Sequence, residues 1–536
     1  MAASSGMTMG KVLILAKQDK HEKPIKKKTI PEQAIKEFDQ ALLSATEKIS
    51  VLEEKLTSTL PPEELEIYSS YKAMINDPEV IEKTKDYIKT HHCNAAFAFD
   101  QISTAFVVML EELEDPYLRQ RAEDLKMISK TVLEILQGKT TNHQVLHSPT
   151  IIVAEKIDPN QLAALDQKNI LGLITTQGGI TDHTAIVAKA LGIPYILGIK
   201  NIIQKIRPND FLVLDSNRGC VYQNPSKKEI DHFKTQIDLK QRQAEQALLS
   251  AQTKAYTKSG KTLEVLANVG SVEDAHQALK FGADGIGLLR TELCFLERSS
   301  FPDEAAHFEQ YTQILNELPD KTYTLRLLDF GTDKKVSYLH TVGEENPALG
   351  LRALRLGFSN YDTLLKPQIR AFLRLSKNYD IKILCPMIAN NQDLDQIIEA
   401  IKSEQQALNA AGEKIKKLPP IGIMVEVPNV AINPQKYIAK ADFFSFGTND
   451  LAQFLMAADR TNENVSNYLS TADQTLIQLI ENFTQHAQEQ KKEISICGEL
   501  ASNANYLSTF IKMGLHALSM PPKLIPTIKA KINSLE

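Results

Sequence analysis

Arginines lie at the ends of short apolar runs, or in the segments that follow such runs, in the C-terminal half of this 536-residue chain. They are Arg290, Arg326, Arg352, Arg355 and Arg460. The guanidinium group presents a planar fork of N–H donors that matches phosphate and carboxylate oxygens. Glu426 and Asp450 follow two further apolar runs, and carboxylates are hard ligands that suit Mg²⁺ bridging to a phosphate. The pattern predicts a site for a small, highly anionic ligand, with Mg²⁺ held by Glu426 and Asp450.

A histidine follows a pair of glycines in the segment Gly178-Gly179-Ile180-Thr181-Asp182-His183-Thr184. Two glycines after a strand allow a tight turn, and Thr181 or Asp182 can cap the helix that follows. His183 is then expected in the first turn of that helix, where the exposed N–H groups favour anions and disfavour imidazolium. A neutral ring is a nucleophile, and a phosphoryl group on it would be stabilised by the same field. The alternative is a capping histidine without chemistry.

The elements that must position the arginines and carboxylates are predicted as strands separated by helical patterns. The strands are predicted over 262–267, 285–289, 322–327, 381–386, 421–425, 442–446, 493–496 and 515–519. About eight βα units fit a (β/α)₈ barrel, which typically needs ~250 residues. Active sites of such barrels lie at the carboxyl ends of the strands. The arginines and carboxylates are therefore expected to converge on one face.

The N-terminal half changes character twice. From Ile35 to Leu56 and from Leu118 to Ile135 apolar residues recur in steps of three and four, which predicts a helical bundle over 30–138. From about Thr150 short β-rich runs predict a small α/β domain over 139–224, to which residues 1–29 are assigned, so that the bundle is an insertion. A polar helix between Lys228 and Lys254, within 225–260, is expected to link this part to the barrel over 261–536.

Composition excludes several classes of protein. The formal net charge of −5 argues against a nucleic-acid binder, which usually carries a basic excess. No apolar run approaches the roughly 18 residues that span a bilayer, and the first residues lack a secretory signal, so a cytoplasmic protein is expected. The five cysteines form no CxxC pair, and His91-His92-Cys93 lacks the usual i, i+4 spacing of helical metal ligands.

Eight motifs together resemble enzyme I of the bacterial sugar phosphotransferase system, the phosphoenolpyruvate–protein phosphotransferase, over nearly the whole chain. They are GGITDHTAIVAKALGIP at 178–194, GIGLLRTE at 285–292, LRLLDFGTDK at 325–334, EENPALGLRALR at 344–355, GIMVEVP at 422–428, FSFGTNDLAQF at 444–454, AADR at 457–460 and ICGELA at 496–501. The resemblance implies a helical domain that docks the phosphocarrier protein HPr, a swivelling phosphohistidine domain, and a barrel that binds phosphoenolpyruvate and forms a homodimer.

The same resemblance assigns roles to single residues. It implies that His183 accepts the phosphoryl group on Nε2, and that Cys497 protonates C3 of enolpyruvate. Arg290, Arg326 and Arg460 would bind phosphoenolpyruvate together with Asn449, and Arg352 would contact its phosphate. Glu426 and Asp450 would hold Mg²⁺, with Asp450 also at the substrate. Because His183 and the barrel belong to different domains, a hinge motion must carry the histidine between its two partners.

The chain also departs from the family pattern. Ile180 and Asp182 stand where the family usually has Arg and Ser, which is expected to raise the pKa of His183 and to repel an incoming phosphate. The chain is also expected to lack the final helix common in the family, which bears on dimer strength. Two alternatives follow: a pyruvate phosphate dikinase-like enzyme, which needs a nucleotide-binding domain not seen here, and a regulator that binds phosphoenolpyruvate or HPr without turnover.

Overall fold

A computed structural model describes residues 2–15, 24–57, 62–112, 116–138, 146, 148–157, 161–162, 165–179, 183–296, 298, 300–331, 338–339, 344–460, 462, 465–469 and 473–536. The chain forms two compact units, Met1–Leu239 and Lys240–Glu536. The predicted fold class is confirmed: a helical region, an α/β sheet and a closed parallel barrel follow one another along the chain. The division into 1–29 with 139–224, 30–138, 225–260 and 261–536 stays a prediction.

The first unit contains the helical bundle. Its helices are Pro31–Thr57, Pro62–Ile75, Pro78–His91, Ala95–Glu111 and Pro116–Leu136. The predicted seam of the first helix is its buried face, since Phe38, Ala45 and Ile49 are almost fully enclosed. The helices Pro78–His91 and Ala95–Glu111 are separated at His92, which adopts a left-handed φ of 48° and ends the first before the second begins.

The sheet of the first unit has seven strands in the order β1-β5-β4-β3-β2-β6-β7. The strands are β1 Ala2–Ser4, β2 Met7–Ile14, β3 Thr150–Ala154, β4 Ile170–Thr175, β5 Tyr195–Ile196, β6 Phe211–Asp215 and β7 Cys220–Gln223. β2 pairs in parallel with β3, with Lys11 opposite Thr150. The bundle is therefore an insertion between neighbouring strands of one sheet. The helices that follow are His183–Ala190, Ile202–Lys205 and Lys227–Ser250, the last of which crosses the boundary between the two units.

The second unit is a barrel of eight parallel strands in the closed order β10-β11-β12-β13-β14-β15-β8-β9. The strands are β8 Glu264–Val269, β9 Ile286–Leu289, β10 Thr322–Arg326, β11 Asp380–Cys385, β12 Ile421–Val425, β13 Phe443–Phe446, β14 Glu493–Ile496 and β15 Ala517–Met520. Each predicted strand is present, with ends shifted by at most two residues. β12 carries a glycine for a packing reason: a Cβ on Gly422 would lie 2.5 Å from the ring of Phe443.

Helices surround the barrel strands. They are Val272–Lys280, Leu293–Leu296, Glu304–Asn316, Leu354–Ser359, Lys366–Leu375, Asn391–Ala410, Pro428–Ile432, Thr448–Met456, Ser466–Leu469, Asp473–Glu489, Leu507–Met513 and Ile525–Ser534. Two of them begin with a capping box, in which Ser271 and Asn390 exchange hydrogen bonds with Asp274 and Asp393. Within the described part of the chain, no helix has the length and apolar character needed to cross a membrane.

Candidate active site

Arg326, the last residue of β10, lies in a buried ion network at the carboxyl end of the barrel. Its Nη2 donates to Glu292 Oε1 at 2.9 Å, and its Nη1 lies 2.7 Å from Asp329 Oδ2. Burial alone would lower the pKa of the Arg326 guanidinium, but Glu292 and Asp329 raise it above its ordinary value. Arg326 therefore stays charged inside the protein, where a positive group acts strongly on a bound anion.

Arg352 reaches the same network from the loop after β10. Its Nη2 donates to Asp329 Oδ1 at 2.8 Å, and its Nη1 donates to Asp450 Oδ1 at 3.1 Å. Burial would raise the pKa of Asp329, but Arg326 and Arg352 hold it below its ordinary range. Asp329 thus joins two of the arginines that the sequence predicts as ligands of an anionic substrate.

Three carboxylates meet beside these arginines. One oxygen from each of Asp329, Glu426 and Asp450 lies within 4.8 Å of the other two, and all three residues are buried. Burial raises the pKa of Glu426, and repulsion from Asp329 and Asp450 raises it further, while Glu426 Oε1 accepts a hydrogen bond from Met387 N. Such crowding of hard oxygen donors fits a divalent cation such as Mg²⁺, which would relieve the repulsion. Glu426 and Asp450, the two predicted ligands, are both in this triad.

Cys497 directly follows β14 and faces the barrel interior, packed with Leu288, Leu384 and Met424. Its Sγ lies 3.4 Å from Phe446 O, and Asn268 Nδ2 donates to its carbonyl at 3.1 Å. Burial raises the pKa of the Cys497 thiol to about 11, which Arg326 only partly offsets. At neutral pH the thiol therefore carries a proton that it can donate.

The loop after Cys497 lies against the start of the helix Thr448–Met456. A Cβ on Gly498 would lie 2.0 Å from Thr448 Oγ1, so this approach requires glycine. Asn449 Oδ1 accepts from Glu499 N at 2.9 Å, which fixes the orientation of the Asn449 amide. Two buried polar atoms, Thr448 Oγ1 and Arg326 Nε, have no hydrogen-bond partner among the residues described. They are available to a ligand oxygen.

Arg290 and Arg460 are more exposed than the other two arginines. Arg460 Nη1 lies 3.8 Å from Asp450 Oδ2, with 46% of its side chain exposed. Arg290 follows β9, and its positive charge acts on the Cys497 thiol. These two side chains belong to the outer part of the same site. The structure therefore brings together the predicted barrel residues except Arg355, whose Nη1 donates to the carbonyl groups of Leu349 and Gly350 at 3.1 and 3.2 Å.

His183 lies in the other unit, as the first residue of the helix His183–Ala190. Thr184 Oγ1 donates to Ile157 O at 2.7 Å and anchors the start of this helix. Gly178, with φ of 123°, adopts a conformation that favours glycine. Ile180, Thr181 and Asp182 lie outside the described residues, as does the predicted cap.

Glu292 and Asp329 received no role from the sequence, although both stand at strand ends. Glu292 pairs with Arg326 and also accepts from Asp329 N at 3.1 Å. The available signal was their position: each lies within three residues of a predicted arginine ligand, at the face where the barrel rule places chemistry. Buried carboxylates there are needed to hold the arginines in place.

Comparison with known proteins agrees with this site. Residues 1–121 match the family described as PEP-utilising enzyme, N-terminal; residues 146–219 match the PEP-utilising enzyme mobile domain; and residues 243–536 match the PEP-utilising enzyme PEP-binding domain.

Three proteins similar along the full chain are named phosphoenolpyruvate-protein phosphotransferase. The protein of Listeria innocua is 33% identical over 100% of this chain and 94% of its own length. Those of Streptococcus equinus and Staphylococcus aureus are each 31% identical over 100% of this chain, and cover 93% and 94% of their own lengths. With these full-length relatives and the matching domains, the chain belongs to the phosphoenolpyruvate-protein phosphotransferases, the enzyme I family that its motifs resemble.

Proposed function

We propose that the protein transfers the phosphoryl group of phosphoenolpyruvate to its own His183, and from there to a histidine of the phosphocarrier HPr, as the first step of sugar uptake. The observation that carries this proposal is the buried cluster in which Arg326 and Arg352 form ion pairs with Glu292, Asp329 and Asp450. A phosphoryl group in transfer spreads negative charge over its oxygens, and fixed cations stabilise that charge.

In the proposed reaction, Nε2 of His183 attacks phosphorus and the bond from phosphorus to the enol oxygen breaks. The bonding electrons remain with the enolate, which takes a proton on C3 to become pyruvate. Cys497 donates that proton, because burial keeps its thiol protonated at neutral pH. Nε2 then passes the phosphoryl group to the carrier and returns to neutral imidazole.

We assign phosphoenolpyruvate binding to Arg290, Arg326, Arg352 and Arg460, together with Asn449 and Asp450. Arg326 Nε and Thr448 Oγ1 support this assignment, since both are buried and without a partner among the described residues. Glu426 and Asp450 would hold Mg²⁺, with Asp329 beside them; when bound, the ion neutralises charge on the phosphate oxygens.

The cellular setting belongs to the same proposal. We place the enzyme in the cytoplasm, where HPr would dock on the helices of the first unit, and we assign homodimer formation to the barrel. The support for these three assignments is the resemblance to enzyme I, which implies each of them.

Labelling with ³²P-phosphoenolpyruvate and Mg²⁺ tests the proposal directly. We expect acid-labile label on the wild-type chain, none on His183→Ala, and transfer of the label to added HPr. The second candidate is a regulator, favoured by Ile180 and Asp182 beside the histidine. It predicts phosphoenolpyruvate binding without labelling, an outcome that would contradict the enzyme proposal.

A further inference from the structure

The barrel has a second concave site at the opposite end from the carboxylates and arginines. This cavity has a volume of about 530 Å³ and is formed where β11, β12, β13 and β14 begin. Its lining includes Ile421, Phe443 and Glu493, the first residues of the last three of these strands. The volume is within the range of small-molecule pockets, roughly 300–1,000 Å³.

Five lysines converge on this cavity, which is called the lysine pocket below. They are Lys382, Lys402, Lys417, Lys440 and Lys491. The acidic residues of the lining are Asp442 and Glu493, so the formal charge is 5 − 2 = +3. Because the whole chain carries −5, this positive charge is a local feature. Such a field attracts anions.

Only part of this charge is neutralised within the protein. Lys382 pairs with Glu493, and Lys440 pairs with Asp395. Lys402, Lys417 and Lys491 have no ion-pair partner among the residues that the structure describes. Their mutual repulsion would be relieved by an anion bound between them.

The fold explains some of these lysines but not all of them. Lys491 lies two residues after the end of the helix Asp473–Glu489, whose terminal carbonyl groups favour a cation. Lys402 lies in the middle of the helix Asn391–Ala410, and Lys417 lies in the loop beyond it, so neither stands at a helix end. A shared anionic ligand accounts for their convergence.

The walls of the lysine pocket are partly apolar. Leu418, Pro419 and Pro420 contribute to the lining, as does the buried ring of Phe443. Lys382 Nζ lies 5.5 Å from the centre of that ring. A ligand that fits this surface combines several negative charges with a ring or other apolar part.

We propose that the lysine pocket binds a small organic polyphosphate, a molecule with at least two phosphate groups on a ring-bearing scaffold. This ligand is distinct from the substrate of the catalytic face. Strands β12 and β14 run from the lysine pocket to the positions just before Glu426 and Cys497, and β13 ends four residues before Asp450. A bound polyphosphate therefore contacts the other ends of the strands that carry the proposed chemistry.

Calorimetric titration with ADP, without Mg²⁺, tests the proposal on the full chain. The informative variant is Lys402→Glu/Lys417→Glu, and its matched control is Lys234→Glu/Lys240→Glu, two exposed lysines on the helix Lys227–Ser250. We expect the Kd for ADP to rise about tenfold or more in the first variant and to stay within about twofold in the control. Inorganic pyrophosphate should bind more weakly than ADP, because it leaves the apolar wall uncovered, and both should weaken as salt is added.

Two results would overturn this proposal. One is the absence of ADP binding by the wild-type chain at millimolar concentration. The other is equal ADP affinity in the two double variants, which would place the anion at the arginines of the catalytic face. All four substituted lysines are exposed, and the two double variants carry the same net charge. A difference in their ADP affinity would therefore not come from misfolding or from overall charge.

Discussion

Asp329 holds two of the proposed substrate arginines, one with each oxygen of its carboxylate. The change Asp329→Asn keeps the shape of the side chain but removes its charge, leaving Arg326 and Arg352 with less to fix their direction. Removing one partner of a buried ion pair costs about 3–5 kcal/mol. If about 3 kcal/mol of this loss reaches the transition state, kcat/KM for pyruvate formation falls roughly a hundredfold.

The matched control is Asp362→Asn, since Asp362 pairs with Lys366 on the surface and 80% of its side chain is exposed. We expect that variant to behave as the wild type in the same assay of pyruvate release with HPr present. Wild-type kinetics in Asp329→Asn would show that the arginines do not depend on this carboxylate.

Cys497 is the proposed proton donor, and Cys385 offers a close comparison. Both are buried at the ends of barrel strands, and burial raises the pKa of the Cys385 thiol to about 12. Cys497→Ala is expected to lower kcat for pyruvate formation about 10²- to 10⁴-fold, the usual size of a general-acid contribution. KM for phosphoenolpyruvate should change little, because the arginines remain. An equal loss of kcat in Cys385→Ala would indicate a packing effect instead.

At the level of elements, periodicity was sufficient to predict the fold. The first bundle helix has apolar residues in steps of three and four, which is typical of an amphipathic helix, and β12 is a buried apolar run of five residues, a length that fits a strand. The strands β1 and β7, which lie at the two edges of the sheet, went unpredicted. The position of β1 depends on pairing between distant segments, such as Ala2 with Ile196, which no local pattern contains, whereas β7 pairs with the neighbouring strand β6, with Cys220 opposite Asp215.

In the candidate site, too, some features could be predicted from the sequence and others could not. Arg326, Glu426 and Asp450 were predictable because the barrel places residues at strand ends on one face. The bridging contact of Asp329 was not, because it requires the loop after β10 to bring Arg352 back across the barrel. That geometry is set by tertiary packing rather than by spacing in the sequence.

A network of buried polar side chains lies next to the carboxyl ends of β9 and β10. His307 Nδ1 lies 3.2 Å from Cys294 Sγ and 2.9 Å from Tyr311 OH. Gln368 Nε2 donates to Tyr311 OH at 3.1 Å, and Gln368 Oε1 accepts from Leu328 N, next to Asp329. The network therefore links two of the outer helices to the strand ends that carry the site.

His307 makes this network sensitive to acid. Burial lowers the pKa of His307 to about 3, with the positive charge of Arg298 adding to the effect and Asp303 opposing it. His307 therefore stays neutral in the folded chain between pH 6.5 and 3, whereas in the unfolded chain it binds a proton below its ordinary pKa of 6.5. The contribution of the neutral, buried His307 to the free energy of unfolding is complete above pH 6.5. It declines by about 1.4 kcal/mol for each pH unit between 6.5 and 3.

The variant His307→Gln is expected to lose this acid sensitivity, since a glutamine amide can also bond Tyr311 and does not titrate. Urea unfolding at pH 7 and pH 5, followed by circular dichroism because the chain has no tryptophan, measures the difference. The wild type should lose more stability between the two pH values than the variant does. An identical loss in both would contradict the assignment of a neutral, buried His307.

At the scale of the whole molecule, the proposed catalytic groups are divided between two compact units. His183 belongs to Met1–Leu239, whereas every arginine and carboxylate of the site belongs to Lys240–Glu536. Substrate binding and phosphoryl acceptance are therefore expected to be separable by mutation. The family resemblance implies a hinge motion that carries His183 between its two partners.

Binding of phosphoenolpyruvate to His183→Ala tests this separation, because without an acceptor histidine the substrate is not consumed and its affinity is measured at equilibrium. We expect His183→Ala to bind phosphoenolpyruvate in the presence of Mg²⁺ while forming no pyruvate. Adding Arg352→Lys should weaken binding at least about tenfold, since lysine retains the charge but not the two-point contact with Asp329 and Asp450. Failure of His183→Ala to bind would mean that substrate binding requires the His183 side chain itself, and would contradict the separation.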